Sequence, residues 1–464
     1  MIFKSKPLQT LPAGARFSAR LAGPLLGGLG LVVMALVGLM ALPPAETRAD
    51  GPDTAHVVIQ FAENEALVRP ISFTAPISGL AALEQTSLGL VISNTSFGPA
   101  VCAIEGVGDS AANCFDTGFW SYSFWNGSDW ESYMTGAGGS VVNAGGIELW
   151  AWSPGFASPP SPGSGPQFVG AAKALNWLAG RQSSTNGGYG GAGNSIEVLM
   201  AVGANGIQGT EWRRSPDSPS LFGHVLANGA SYSNGGAAAS GKLALGLTAG
   251  GDCYPYNASR PADFYLTSTG VYTGGFGAGG AGPQAWAILG TKALSQAVPA
   301  LAVTYLKNAA NSDGGWGWSP GDSDTNGTAL ALQALVAAGE PTSAAAMVAA
   351  LNYLASVQNN DGGFPYSGGG DSDANSTAYV VQALLAAGQD PLTGTWVISN
   401  TTPISYLLGM QLGDGSLEWQ PGSGPNQLAT QQAVPALLGR PFPVRATDQV
   451  AACTAQFLPV MFKN

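Results

Sequence analysis

The sequence predicts an α/α toroid, six helical hairpins closed into a ring, preceded by a small mostly β domain. Three observations predict it: a near-duplicated segment in the C-terminal half, the same Gly-rich punctuation recurring four more times, and a strand-like rhythm confined to the stretch before a Pro- and Ser-rich linker. A repeat of this length is one supersecondary unit that buries its apolar face only by stacking on its neighbours.

The duplicated pair reads DGGWGWSPGDSDTNGTALALQALVAAG, from Asp313, and DGGFPYSGGGDSDANSTAYVVQALLAAG, from Asp361. Weaker copies carry Asn186-Gly187-Gly188-Tyr189, Asn234-Gly235-Gly236, Thr273-Gly274-Gly275-Phe276, and Asp414-Gly415 with Trp419. An apolar run of helical period, such as AAAMVAALNYLASVQ, precedes each turn, and a second, such as STAYVVQALLAAG, follows it and ends on Gly. Each repeat is therefore two helices. The second is rich in Ala and Leu and nearly free of charge, so it belongs to the inner layer. Twelve main helices in two concentric layers are expected, because closing six hairpins into a ring removes the exposed ends of an open solenoid. Asn326, Thr328, Asn375 and Thr377 fall at inner-helix starts, where short polar side chains cap free N–H groups.

Residues 50–153 have a different rhythm. His56 to Phe61 is a β-branched run, Trp120, Tyr122 and Phe124 alternate, and Asn126-Gly127 is a hairpin turn before Trp130. The Pro/Ser/Gly linker covers 154–167, the ring 168–445, and a tail 446–464.

With 464 residues the chain exceeds one ordinary core. Its formal charge of −11, from 17 Lys and Arg against 28 Asp and Glu, would repel a phosphate backbone, so nucleic acid is not an expected partner. Lys4, Lys6, Arg16 and Arg20 precede an uncharged stretch at 21–42, so 1–49 reads as a signal peptide or an N-terminal membrane anchor. Either fate makes the protein secreted or cell-envelope, with membrane contact only through that segment, and lets four cysteines pair. Cys102 with Cys114 is the local choice, leaving Cys253 for Cys453.

Tyr353-Leu354, Gln358, Gly362 and Phe364, written YLASVQNNDGGF, resemble the Gln-Trp repeat of the terpenoid cyclase and protein prenyltransferase toroid superfamily. Trp177-Leu178 with Gln182 and Tyr189, and Tyr406-Leu407 with Gln411 and Trp419, repeat it. The N-terminal stretch GFWSYSFWNGSDWESYMTGAGGSVVNAGGIELWAWSPG is similar to the small β domain of the transcobalamin and intrinsic factor-like cobalamin carriers, although there that domain follows the ring. This resemblance implies cobalamin or another corrinoid as the ligand.

The catalytic signatures of the superfamily are incomplete. A class II cyclase protonates its substrate through DxDDTA; with Thr328-Ala329 on its TA, Asp324 takes the first Asp and Asn326 and Gly327 the next two. Asp373, Asn375, Ser376, Thr377 and Ala378 depart in the same way, and neither the DDxxD pattern nor the Cys-Gly-Glu-Gln run of the thioester domains is present. The zinc site of a prenyltransferase needs Asp, Cys and His, but no Cys stands at a ligand-like spacing from His56 or His224. No catalytic residue is therefore assigned. Asp322, Asp324 and Asn326 match the opening half of a calcium loop, whose twelfth position is Gln333 rather than Glu.

These readings converge on a two-domain binder whose β domain closes over the ring mouth. Asp324, Asn326, Thr328, Asp373, Asn375, Thr377, Gln427 and Gln431 would offer polar groups to a corrinoid, and Trp150 and Trp152 would face it from the β domain. Converging helix N-termini would favour an acidic or amide-oxygen ligand. The rings at Tyr189, Phe276, Trp316, Trp318, Phe364 and Tyr366 are expected to pack between repeats. The alternatives are an envelope scaffold that contacts other proteins without a small ligand, and a degenerate cyclase-like enzyme or a glycan-acting barrel with Asp324 and Asp373 as its acids.

Overall fold

The computed structural model describes residues 53–444 apart from 75, 97, 157–164, 252, 256, 268–269, 278 and 319–320. The signal or anchor segment at 1–49, the tail at 446–464 and most of the linker lie outside the described residues. No helix among the described residues is long and apolar enough to cross a membrane.

The β domain opens with the hairpin β1 (Asp53–Ala62) and β2 (Glu65–Phe73). A short helix α1 (Gly79–Glu84) leads to a three-stranded sheet of β3 (Leu90–Thr95), β4 (Gly98–Ile104) and β5 (Val107–Gly108). Then β6 (Gly118–Trp125), β7 (Trp130–Ser132) and β8 (Ile147–Pro154) complete a five-stranded sheet in the order β2-β1-β8-β6-β7, with β1 parallel to β8. That larger sheet is buried on both faces. Val57, Ile59, Trp120 and Trp150 pack with Leu83 and Ile104 inside the domain, while Val58, Val68, Leu149 and Ala151 join the core of the ring. Double-sided burial explains why β1 reads as a continuous apolar run rather than an alternation. Cys102 on β4 is bonded to Cys114, as expected. Cys253 is not a free thiol, and Cys453 lies outside the described residues.

Six inner helices form the ring: α3 (Ala192–Ala204), α5 (Ala237–Ala249), α6 (Ala281–Ala293), α8 (Thr325–Ala338), α10 (Ala374–Ala386) and α12 (Gln427–Leu437). Each packs on the next, and α12 packs back on α3, so the circle is closed. Outside them lie α2 (Pro166–Arg181), α4 (Leu221–Ser233), α7 (Ala300–Asn308), α9 (Ala345–Val357) and α11 (Pro403–Gly409). Among the described residues no α-helix fills the third outer position, where the expected twelfth would lie; a 3-10 turn, Pro261–Phe264, packs there against α5 and α6. That stretch carries Gly250, Gly251, Pro255, Pro261, Gly270 and Gly274, which break helical continuity, so the hairpin has one helix and a wrapped loop.

The repeat residues hold neighbouring hairpins together. Gln182, Gln358 and Gln411 each donate from Nε2 to the glycine carbonyl of their own turn, Gly187, Gly362 and Gly415, at 2.8, 3.0 and 3.0 Å. The same amides reach the following repeat at Trp212, Trp396 and Gly170. A hydroxyl near the start of the inner helix then takes the N–H of the residue beyond the turn: Ser195 from Tyr189, Thr328 from Trp316, Thr377 from Phe364 and Thr430 from Leu417, at 2.8 to 2.9 Å.

Position of the β domain differs from expectation. It docks on the C-terminal ends of the inner helices, not over the mouth formed by their N-termini. Asn205, which caps α3, exchanges hydrogen bonds with Val68, and Arg69 donates to its carbonyl. Asn64 reaches Asp390 beyond α10 at 3.1 Å, and Arg440 beyond α12 pairs with Glu65 at 2.5 Å. The strip after α12 closes the same end from within: Phe442 donates its N–H to Gln333 Oε1 at 2.9 Å and its ring lies 5.6 Å from that of Trp286.

Candidate ligand site in the ring lumen

A cavity of about 260 Å³ occupies the lumen on the mouth side of that plug. Its wall combines Glu197 from α3, Lys242 from α5, Trp286 from α6, Asn326 and Leu330 from α8, Asn375 and Tyr379 from α10, and Leu428 and Gln432 from α12. Trp318 and Tyr366, on the loops before α8 and α10, stand at the entrance and are half-exposed.

Glu197 anchors the polar part of the wall. Its carboxylate accepts from Lys242 Nζ, from Gln431 Nε2 at 3.2 Å and from Gln432 Nε2 at 2.7 Å. Burial pushes the Glu197 pKa up, but the Lys242 charge and these three donors outweigh it, so the net shift is down and the group is a carboxylate. Burial likewise pulls Lys242 down, and the neighbouring Glu197, with smaller contributions from Tyr379 and Tyr232, drives it up overall. Lys242 Nζ also lies 4.8 Å from the centre of the Trp286 ring. An ion pair this far inside a ring of Ala and Leu gains stability only because every partner is supplied.

The acidic loops do different work from that expected. Asp324 caps α8, taking the Gly327 N–H at 2.6 Å and the Trp318 N–H at 2.7 Å on its two oxygens. Asp373 caps α10 through the N–H and hydroxyl of Ser376, both at 2.8 Å, while burial pushes its carboxyl above the usual range. Thr328 and Thr377 are fully buried and bonded to backbone, so they are struck from the ligand set: their hydroxyls pin the turns. Asp322 is exposed, Asp324 has both oxygens on backbone N–H groups, and no group of three or more His, Cys, Asp or Glu that could hold a metal gathers among the described residues. His224 packs against Gly188.

Of the other expected ligand residues, Asn326 and Asn375 line the lumen, Gln431 does not line it but is bonded to Glu197 behind the wall, and Gln427 bridges α12 to the Tyr189 carbonyl at 3.3 Å. Trp150 and Trp152 are not brought to them. Trp150 is buried in the β-domain core against Tyr122, and Trp152 rests on Trp120, at the other end of the molecule. The cavity between the β domain and the ring, beside His56, Asn176 and Asn205, measures about 50 Å³. A corrinoid macrocycle has no room there, because the sheet face is packed directly on the ring. Trp316, Phe364, Phe276 and Tyr189 are buried between repeats as expected, whereas Trp318 and Tyr366 turn to the mouth.

Sequence reasoning missed Glu197, Lys242, Trp286, Tyr379 and Gln432. A signal was present for the first two, which are charges set alone in otherwise uncharged inner helices, SIEVLMAVGA and SGKLALGL.

One known family matches part of the ring. The squalene-hopene cyclase C-terminal domain family matches residues 284–425, less than a third of the chain, a segment holding both acidic loops. No curated protein matches the chain. Among solved structures, Candida albicans protein geranylgeranyltransferase-I complexed with GGPP is 16% identical over 44% of this chain and 66% of that one, with a TM-score of 0.35. ent-Copalyl diphosphate synthase from Streptomyces platensis is 18% identical over 61% of this chain and 52% of that one, with a TM-score of 0.31. The chain thus spans between half and two thirds of these proteins. No similarity to a cobalamin carrier is found in these matches; the ring is an α/α toroid, and its residues 284–425 are similar to the squalene-hopene cyclase C-terminal domain family.

Proposed function

We propose that the ring is a lumenal binding module for a small ligand with an apolar body and one polar end, of isoprenoid type and without acid-initiated cyclisation. The observation that carries this reading is the cavity itself, whose wall combines the aromatic side chains of Trp286, Trp318, Tyr366 and Tyr379 with the amides of Asn326, Asn375 and Gln432. About 260 Å³ lies just below the ~300–1,000 Å³ of ordinary small-molecule sites, which favours a ligand of monoterpene size. The same proposal places the protein outside the cytoplasm, with the Cys102–Cys114 bond as its support.

The family match at 284–425 favours a second reading, a cyclase. Against it stand the groups in the lumen. Asn326 and Asn375 occupy the places of the donating acids, Glu197 is held ionised by Lys242, and Asp324 accepts backbone N–H groups. None of these is a neutral carboxylic acid aimed at a substrate alkene.

Quenching of intrinsic tryptophan fluorescence by geraniol tests the binding reading, because Trp286 and Trp318 face the lumen. Saturable quenching that is lost when Leu330 is replaced by Trp to fill the cavity is the expected result. Absence of binding leaves the scaffold reading, a red protein after incubation with cobalamin and desalting restores the corrinoid, and a cyclised product from an incubated polyprene establishes the cyclase.

A further inference from the structure

Resting on the lumenal reading above, we infer that the polar end of the ligand is a hydrogen-bond donor carrying positive charge, an amine or ammonium, and not a phosphate or diphosphate. As a carboxylate Glu197 only accepts, so the Gln432 amide must turn its NH2 towards it. The second N–H of that NH2 goes to Tyr379 Oη at 3.1 Å, and Gln432 Oε1 takes the Asn375 NH2 at 2.6 Å. This chain of bonds fixes the orientation of Asn375, whose Oδ1 is left to face the lumen. Asn326 Oδ1 is buried and has no hydrogen-bond partner. The wall therefore presents the Asn375 oxygen, and the Asn326 side chain, which also lines the lumen, holds an amide oxygen that no protein group satisfies.

Charge points the same way. Glu197 and Lys242 cancel, leaving Asp324 at the lumen, and among the described residues it makes no ion pair. The positive helix N-termini expected to attract an anion are already answered: each contributes roughly half a charge, and an Asp side chain caps each of α8 and α10. The half-exposed rings of Trp318 and Tyr366 line the same cavity, while the Trp286 ring is already taken by Lys242, and aromatic faces of this kind attract a cation.

The test is calorimetric titration of the full chain at neutral pH with three probes that share one hydrocarbon body: geranylamine, geraniol and geranyl diphosphate, all below micellar concentration. The expected order is amine at least about tenfold tighter than alcohol, with diphosphate weakest. Asn326→Leu removes one acceptor and weakens the amine about tenfold, the fold-change of one hydrogen bond to a charged group. Asn326→Asp, of the same shape, tightens the amine severalfold and weakens the diphosphate further. Melting temperatures confirm that both variants fold. Diphosphate binding tightest, equal affinity for the three heads, or indifference to Asn326→Asp overturns the inference and leaves the lumenal reading intact. Failure of all three probes to bind overturns both.

Discussion

Gln411 Nε2 donates to the carbonyl of Gly170 at 2.8 Å, and this bond ties the last repeat to the first helix of the ring. The same amide holds its own turn at Gly415, so one side chain both shapes a repeat and closes the circle. Gln411→Leu leaves the Gly415 carbonyl without its side-chain donor and removes the tie to the Gly170 carbonyl. A loss of about 2 kcal/mol is expected, since each orphaned group costs roughly 1–3 kcal/mol when water cannot reach it. Urea unfolding monitored by far-UV circular dichroism measures it, and a change below ~0.5 kcal/mol would remove the clamp from the account.

Gly415 makes the same closure by close approach. Its φ is +91°, and a Cβ built there would meet the Lys173 carbonyl oxygen at 2.4 Å. Gly424 also has a positive φ, +75°, but a Cβ there meets nothing within 4 Å. Gly424→Ala should cost only the backbone strain of about 1–2 kcal/mol. Gly415→Ala adds displacement of α2, so its unfolding free energy in the same assay should be lower by at least a further ~2 kcal/mol.

The lumenal ion pair predicts a strong asymmetry between single and double variants. Lys242→Met strands the Glu197 carboxylate, at a cost of roughly 3–5 kcal/mol. The double variant Glu197→Gln, Lys242→Met should recover most of that loss, because a neutral amide can stay bonded to Gln431 and Gln432. A double-mutant cycle in which the two changes simply add would contradict the coupling described here.

His56 gives the pH dependence of the seam between the two parts. Burial lowers its pKa from 6.5 to about 4, so the folded chain keeps it neutral where the unfolded chain takes up a proton. The stabilisation is fully present above pH 6.5 and is lost as the pH falls towards 4. His56 is partly exposed, so the loss should be less than the full shift, on the order of 2 kcal/mol. Comparison of wild type with His56→Gln between pH 7 and 4.5 isolates it: the variant should lose less stability over that window.

The ring was legible because its turns repeat. Gln358, Gly362 and Phe364 recur in register with Gln182, Gly187 and Tyr189, and the structure uses each at the same place. That no α-helix of the described residues fills the third outer position was concealed by a Gly turn that occurs there without the flanking helical period. The lumen was only half legible. Asn326 and Asn375 could be found from the paired loops, but Glu197, Lys242 and Gln432 meet only across α3, α5 and α12, and distance in sequence hides such a meeting. The docking end of the β domain could not be read at all, since it depends on Asn205 capping α3 against the edge of β2.

The most direct measurement of the central claim is the site of ligand contact. A geranyl probe carrying a diazirine, irradiated in the presence of the full chain and mapped by peptide mass spectrometry, should label the inner helices around Glu197, Lys242, Trp286 and Tyr379, with the label competed away by unmodified ligand. Competed labelling confined to the β domain around Trp150 and Trp152 would contradict the account.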